Sequence, residues 1–428
     1  MKRLLILIAF FITSFCLMPQ GHAKAETLQQ LIDQTPEGGV LHLQGRKYKE
    51  NVIIHKSITI KGSKQTVIES NTQEAVIKIE GVNNVKIENL TIQNAHVGIV
   101  AKNVQNLQCE GVTLKNSWSG IQLYNSKGVM LQNLSIKGIH GHYSKKGNGI
   151  AFFNSRNVIV KHNKIDHVQD GIYLENVNDI KLVSNNIQNG RYGIHFMFVK
   201  NGQANNNTFK RNVTGIMLMM SENVILSTNN IIDQSGLNAS GMTLFQSKNI
   251  KSKENKFQYN RTAISAQSLT NSTIQKNTFL MNQTAVELIR SNEKNNVKEN
   301  DFIGNIVNLR SDGTNSHIAR NYYDDYSGID VNGDDIGDRS YVALQSFGQW
   351  MVRQPAYQYF IESPSVVLLN EMDRQTNAIE KKQLVDKAPM MHSAINMEQE
   401  NTVNIGKVFI GIVVMLSILW FWRKEIRS

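Results

Sequence analysis

The chain has 428 residues, a formal net charge of +11 at pH 7 and two cysteines. Its lysines are scattered among many asparagines, without the arginine clusters and aromatic ladders of a nucleic-acid site, so nucleic acid is excluded as a partner. The positive charge then predicts either a solvated basic surface or a basic face near anionic lipid headgroups.

Residues 1–25 predict a secretory signal peptide. A basic start and an apolar run over residues 4–18 lead to Ala23-Lys24-Ala25, which provides a small-residue cleavage site. Cys16 lies inside the apolar run and is expected to leave with the peptide. Cys109 then remains as the single cysteine of the mature chain, so no intrachain disulfide can form.

Residues 26–75 predict an N-terminal cap and the first coils of a repeat. Leu28, Leu31 and Ile32 stand at helical spacing, and such a helix can close the open end of a solenoid.

The strongest pattern is an internal repeat over residues 76–323. A small residue followed by an apolar one recurs every 22 residues, apart from two longer steps that contain inserted loops at 138–148 and 234–240. The recurring pairs are 98–99, 120–121, 149–150, 171–172, 193–194, 215–216, 241–242, 263–264 and 285–286.

A second column of the repeat is filled by asparagine. It comprises Asn163, Asn185, Asn207, Asn229, Asn255, Asn277, Asn300 and Asn321, and the earlier coils have Leu90, Val112 and Leu134 there. Stacked asparagines can bond side chain to side chain along an axis. Short Val/Ile-rich strands separated by Asn, Gly and Ser turns predict an all-β fold, a right-handed parallel β-helix. Cys109 falls at an inward position, as a small core residue.

One pair of coils presents soft metal ligands. Alternation along the strand at 192–197 points His195 and Met197 outward, and the period places them beside Met217 and Met219 of the next coil, about 4.8 Å away. One imidazole and three thioethers are donors that suit Cu(I). We therefore predict a surface copper site at these four residues.

The alternative interpretation is packing. Tyr124, Phe153 and Phe245 align with the methionines, and an exposed row of this kind needs a cover from a partner or from the chain's own C-terminal segment. A second soft cluster lies at 390–392, where two methionines precede His392. His140 and His142 lie in the first inserted loop, and an exposed pair of loop histidines is more often incidental than a metal site.

A second metal site is predicted in an acidic loop. Asp330, Asn332, Asp334, the Ile336 carbonyl and Asp338 offer oxygens at alternate positions, which suits Ca²⁺ in a structural capping role. The loop is shorter than an EF-hand loop and lacks its final glutamate, so a solvated acidic turn is the alternative.

The C-terminal part predicts a return to the membrane. Residues 324–375 are expected to form the acidic loop and a C-terminal cap, and 376–402 a polar tether. The apolar stretch 403–422 is long enough for one transmembrane helix. Positive charge in 423–428 predicts a cytoplasmic tail, which puts the body on the extracytoplasmic side.

These features together resemble a family, the nitrous oxide reductase maturation protein NosD, a periplasmic copper-binding β-helix. The residues that carry the resemblance are Tyr192–Met197, Gly215–Met219, Asn321–Tyr326 with the acidic loop and Tyr341 after it, Ser363-Pro364 and Asp386–Pro389.

The resemblance implies an accessory protein, not an enzyme, that serves assembly of the copper site of nitrous oxide reductase. It implies work with an ABC-type permease and ATPase and with a copper chaperone lipoprotein. The chain has no phosphate-binding glycine loop, so any use of ATP belongs to a partner. The predicted transmembrane tail departs from the soluble members of the family and leaves the docking on the permease open.

Two other classes of function compete. A β-helix lyase or epimerase would need clustered carboxylates, or a base beside an arginine, along one outward column. Glu175 and Glu287 lie in the outward columns but about five coils apart, which argues against an enzyme. A passive adhesin or scaffold would explain the repeat but not the histidine and methionines.

Overall fold

The computed structural model describes residues 26–394, with gaps, and Met415. The gaps are 71, 235, 237, 292–293, 314–315, 344–353, 361–362, 367, 370–371 and 373–383. The chain divides into two compact units, Met1–His392 and Ser393–Ser428. The β-strands of the body lie in the first unit. The predicted signal peptide, transmembrane helix and tail lie outside the described residues, apart from Met415. Among the residues that are described, no helix is long and apolar enough to cross a membrane.

The body is an all-β parallel β-helix of the right-handed type, as predicted, with three sheets along its length. Sheet A has 13 strands: Val40–His42, Ile58–Lys61, Asn83–Glu88, Gln105–Glu110, Lys127–Gln132, Arg156–Lys161, Asn178–Val183, Lys200–Asn205, Glu222–Ser227, Lys251–Lys253, Thr273–Gln275, Asn296–Lys298 and His317–Ala319.

Sheet B also has 13 strands and sheet C has 12. Sheet B contains Lys47–Lys49, Val67–Glu69, Thr91–Gln93, Thr113–Ser117, Ser135–Gly138, Lys164–Asp166, Asn186–Gln188, Thr208–Lys210, Asn230–Ile232, Lys256–Gln258, Thr278–Leu280, Asp301–Ile303 and Tyr322–Tyr323. Sheet C contains Val52–Ile54, Ala75–Glu80, Val97–Lys102, Ser119–Tyr124, Ile150–Phe153, Asp170–Glu175, Tyr192–Met197, Thr214–Met219, Ser240–Phe245, Thr262–Gln267, Thr284–Ile289 and Val307–Ser311.

The core is the inside of this coil. Inward residues are apolar and fully buried because alternation sends every second side chain to the interior. Cys109 is one of them, stacked between Ile87 and Leu131, and burial raises the pKa of its thiol to about 12. The prediction of an inert core cysteine is confirmed.

A short helix covers the first coil. It spans Leu28–Gln34, and Thr27 and Gln30 form a capping box at its start. Leu28 and Ile32 are buried, which confirms the predicted helical spacing. The Glu50 carboxylate accepts from the Leu28 backbone N–H at 2.7 Å, so the first coil holds the helix end.

The predicted asparagine ladder is confirmed. In a typical rung, both the backbone N–H and the Nδ2 of Asn185 donate to Oδ1 of Asn207 at 2.9 Å. The same Nδ2 donates to the Val160 carbonyl at 3.0 Å. Each rung therefore bonds to the coil before it and the coil after it.

The last rung is closed by a segment from far along the chain. Asn321 donates its backbone N–H and its Nδ2 to Oδ2 of Asp386, both at 2.9 Å. Asp386 ends the strand Leu384–Asp386, which pairs antiparallel with Tyr341–Ala343. Residues 384–392 lie in the range expected to be a polar tether, and the structure places Asp386 and Met390 against the last coil. The short 3-10 turns are Tyr143–Lys145 and Pro355–Phe360.

Candidate metal site on sheet C

The four predicted copper ligands lie side by side. In sheet C, His195 pairs with Met217 and Met197 with Met219, which confirms the register predicted from the 22-residue period. Tyr173 and Glu175 occupy the same two columns in the preceding coil. The first inserted loop precedes the sheet C strand Ile150–Phe153, two strands before this pair of strands. The second precedes Ser240–Phe245, the next sheet C strand after the pair. The two loops therefore lie on either side of the site along the axis of the β-helix.

The site is less open than the sequence predicts. His195 points outward but is only 7% exposed, so one corner of the predicted surface rectangle is covered. The rings of Tyr173 and Tyr192 meet the imidazole edge-on, with centroids 5.1 Å and 5.0 Å away. The three methionines are half-buried. The four side chains thus form a partly covered cluster, with two tyrosine rings against the imidazole.

A buried carboxylate lies behind the imidazole. Oδ2 of Asp170 is 3.2 Å from Nδ1 of His195, and Arg191 donates to both oxygens of the same carboxylate at 2.8 Å and 2.7 Å. Burial alone would raise the pKa of Asp170, but the hydrogen bonds from His195 and Arg191 outweigh it and hold the pKa below its ordinary value. An ionised carboxylate only accepts hydrogen bonds, so Nδ1 of His195 carries the proton in this contact.

This arrangement leaves the other imidazole nitrogen without a partner. Nε2 of His195 is buried, and no hydrogen-bonding group among the described residues reaches it. With the proton held on Nδ1, Nε2 of the neutral ring presents a lone pair. A buried lone pair without a donor is costly unless a ligand occupies it. Carboxylate, imidazole and metal in this order is the usual arrangement around metal-binding histidines.

Tyr173 contacts one of the thioethers. Its hydroxyl donates to Oε2 of Glu175 at 2.7 Å and lies 3.7 Å from the sulfur of Met197. Burial, and then the hydrogen bond to Glu175, raise the pKa of Tyr173 well above its ordinary value. The phenol therefore stays neutral and fixes the position of the Met197 side chain.

The acidic loop binds its own backbone. Asp330 accepts from the N–H groups of Gly333 and Asp335 at 2.7 Å and 2.9 Å. Oδ1 of Asp334 accepts from Ile336 N–H and Oδ2 of Asp338 from Val331 N–H. Within the described ranges, no three His, Cys, Asp or Glu side chains are placed to hold a metal ion together. Calcium binding at Asp330, Asn332, Asp334, Ile336 and Asp338 stays a prediction.

Two of the other histidines noted in the sequence, His142 and His392, have local partners. Nδ1 of His142 contacts the Ser144 hydroxyl at 2.8 Å. Nδ1 of His392 lies 2.6 Å from Oδ1 of Asp335, so the soft cluster at 390–392 packs on the acidic loop. Sequence reasoning missed both this contact and the Asp170–Arg191 pair.

The central coils are similar to a known family. Residues 132–333 match the family model "Periplasmic copper-binding protein (NosD)". Over 124 residues the chain is 27% identical to a "Probable ABC transporter binding protein NosD" of Stutzerimonas stutzeri, a match that covers 28% of each protein.

Solved structures show the fold alone. The pre-mature gene product 12 of bacteriophage phi29 is similar with a TM-score of 0.54 at 11% identity, over 67% of this chain and 48% of that one. The A-module of mannuronan C-5 epimerase AlgE6 of Azotobacter vinelandii gives a TM-score of 0.49 at 15% identity, over 69% of this chain and 91% of that one.

The family match covers the coils that contain Asp170, His195, Met197, Met217 and Met219, together with the first residues of the acidic loop. It agrees with the resemblance that the methionine coils and the C-terminal motif predict. Residues 132–333 are thus similar to the NosD family of periplasmic copper-binding proteins, over a little less than half of the chain.

Proposed function

We propose that the protein binds Cu(I) at His195, Met197, Met217 and Met219 and serves assembly of the copper site of nitrous oxide reductase. In this role it works outside the cytoplasm with an ABC-type permease and ATPase and a copper chaperone, anchored by its C-terminal stretch. The observation that carries the proposal is the buried, unpartnered Nε2 of His195 beside three thioethers.

The chemistry of the donors supports Cu(I). Imidazole nitrogen and thioether sulfur are donors that suit Cu(I), and a thioether has no proton to release when it binds a metal ion. Asp170 holds the Nδ1 proton and Arg191 holds Asp170, so the ring is oriented before the ion arrives. In this proposal copper is the cargo, in agreement with the copper-binding family that residues 132–333 resemble.

Cu(I) binding by the purified protein tests the proposal. Met217→Leu plus Met219→Leu keeps volume and apolarity nearly constant, so the fold should lose little. Met130→Leu plus Met281→Leu, away from the site, is the matched control. In anaerobic competition with a chromophoric Cu(I) chelator, we expect the first pair to weaken binding and the control pair to leave it unchanged. In cells, the reductase should be exported but short of copper. Parental binding by the first pair would make these methionines packing residues.

One observation favours a rival activity on uronate polysaccharides. Asp170 with Arg191, beside His195 and Tyr173, is the base next to an arginine that such an enzyme needs. However, Asp170 is 0% exposed and both its oxygens are occupied by protein groups, so it cannot reach a sugar. We expect neither unsaturated ends nor epimerised sugars from such polymers, and turnover that Glu175→Gln abolishes would establish the enzyme instead.

A further inference from the structure

The turn that follows the sheet C strands changes character at the candidate site. Its first residue adopts a left-handed conformation in successive coils. In the four coils before the site this residue is Asn103, Asn125, Asn154 and Asn176, with φ between 48° and 54°. In the two site coils it is Phe198 and Met220, at φ 55° and 47°, and in the three coils after them it is Gln246, Ser268 and Arg290. Asparagine tolerates this conformation, whereas a bulky side chain is strained in it.

Both bulky side chains lie at the open edge of the site. Phe198 is 39% exposed and Met220 is 37% exposed. They directly follow Met197 and Met219, and the backbone N–H of Phe198 donates to the Met219 carbonyl at 3.2 Å. The turn therefore places one further thioether and one aromatic ring, both exposed, immediately after the half-buried methionines.

A copper site whose histidine is buried needs an exposed residue that can contact an incoming Cu(I) complex first. His195 is 7% exposed, so a Cu(I) complex cannot approach its Nε2 without displacing the ring walls or first losing a ligand. Strained residues persist where the local conformation serves function. A thioether at the rim provides a ligand that can reach an incoming complex before the buried set does.

We propose that Met220 is the entry ligand of the site, with Phe198 as its apolar flank. The inference rests on the proposed Cu(I) binding. As Cu(I) arrives, a bond from Met220 sulfur forms while a bond to the donor complex breaks. The ion then passes to the thioethers of Met219 and Met217 and to His195. The copper stays Cu(I) throughout, and neutral thioethers release no proton.

The left-handed conformation alone does not identify the entry ligand. Tyr259 and Met281 adopt it too, in the turn after sheet B, where they are 52% and 53% exposed. They differ from Met220 in that the residue immediately before each of them, Gln258 or Leu280, is not a predicted copper ligand. Met281 thus offers a matched control, with the same residue type, the same conformation and a different place.

The test compares rate with equilibrium in the full-length protein. Cu(I) is supplied as its bicinchoninate complex under anaerobic conditions, and loss of colour is followed by stopped flow. We expect Met220→Asn and Met220→Leu to slow transfer about tenfold while the amount of Cu(I) held at equilibrium changes little. Met281→Asn should transfer at the parental rate.

Thermal unfolding checks that the slow variant is folded. Asparagine relieves the strain at both turns, so Met220→Asn and Met281→Asn should each raise Tm slightly or leave it unchanged. Parental transfer by Met220→Asn, or equal slowing by Met281→Asn, overturns the entry ligand while the proposed copper site stands. If the parent itself takes up no Cu(I), both proposals fail.

Discussion

The early and the later coils fill the same turn position with different chemistry. In the early coils Leu90, Val112 and Leu134 are buried there, at 2%, 0% and 1% exposure. From Asn163 onward every coil has an asparagine at this position. An apolar residue at this position stabilises the fold through the hydrophobic effect, which is non-directional. An asparagine rung fixes three coils through hydrogen bonds of defined geometry. The candidate copper site lies wholly in the second kind of coil.

Replacing an asparagine of the ladder by leucine should have the largest effect on stability. Asn207 accepts both donors of Asn185 and donates to the Leu182 carbonyl and to Oδ1 of Asn229. Asn207→Leu leaves these buried hydrogen-bonding groups without partners and should lower the free energy of unfolding by about 3–5 kcal/mol. Urea unfolding of the purified protein measures the loss.

The reverse exchange is the control. Leu134→Asn places an amide above Asn163, whose Oδ1 already accepts from the Leu134 backbone N–H at 2.8 Å, so the new side chain meets a partner. We expect it to cost less than half as much as Asn207→Leu. Equal losses would mean that the two regions are energetically alike.

A buried ion pair should matter more than a surface pair of the early coils. Asp170→Asn leaves Arg191 without its carboxylate and should cost about 3 kcal/mol, and about 10–100-fold in Cu(I) affinity. Glu69→Gln removes a surface pair with Lys47 and should change stability little. Unfolding curves and Cu(I) competition on both variants make the comparison.

The same pair predicts a pH dependence. The pKa of Asp170 is depressed in the folded state, so its contribution is complete above the unfolded value, about 3.9, and is lost as pH falls through the folded value. The stability gap between the parent and Asp170→Asn should be constant near neutral pH and shrink below about pH 4. A gap that is unchanged at pH 3 would contradict the ionised carboxylate.

The end of the ladder should be more sensitive than its beginning. Asp386→Ala removes the acceptor of five donors, four of them in the last coil, from Arg320, Asn321 and Tyr323, and one from Ala388 N–H. We expect a loss of about 2 kcal/mol and faster amide exchange in the last coil. Asp386→Asn keeps part of the contact and should lie between. Exchange that is unaltered at 320–323 would show that the segment 384–392 does not hold the ladder.

Much of the later region follows from its sequence, because a constant period and strand alternation together determine both columns. The pairing of His195 with Met217 and the asparagine ladder are of this kind. Asp170 and Arg191 could not be predicted, because they lie where the chain turns into sheet C and alternation does not set side-chain direction. The covering of His195 depends on how two tyrosine rings tilt. The contact of Asp386 joins positions 65 residues apart, with no repeat to align them.

The smallest expected effect concerns the acidic loop. If the loop binds Ca²⁺, excess chelator should lower the Tm of the protein, because an ion bound only by the folded state stabilises it by mass action. The carboxylates of Asp330 and Asp334 already accept backbone N–H groups, so we expect a shift of only a few degrees. Asp334→Asn should remove the shift. Identical melting curves with chelator and with Ca²⁺ would leave a solvated acidic turn.

The asparagine ladder has a polarity. From Asn163 to Asn300, every side-chain Nδ2 donates to the Oδ1 of the next asparagine as well as to a carbonyl of the preceding coil. Every bond between two side chains therefore has the same direction, and the amide dipoles of the row are aligned. Each aligned amide polarises the next in a medium of low dielectric. The positive end of this row meets the carboxylate of Asp386, as an anion meets the N-terminus of an α-helix. A charge at the end of the ladder thus stabilises a dipole that extends back through the coils of the candidate copper site.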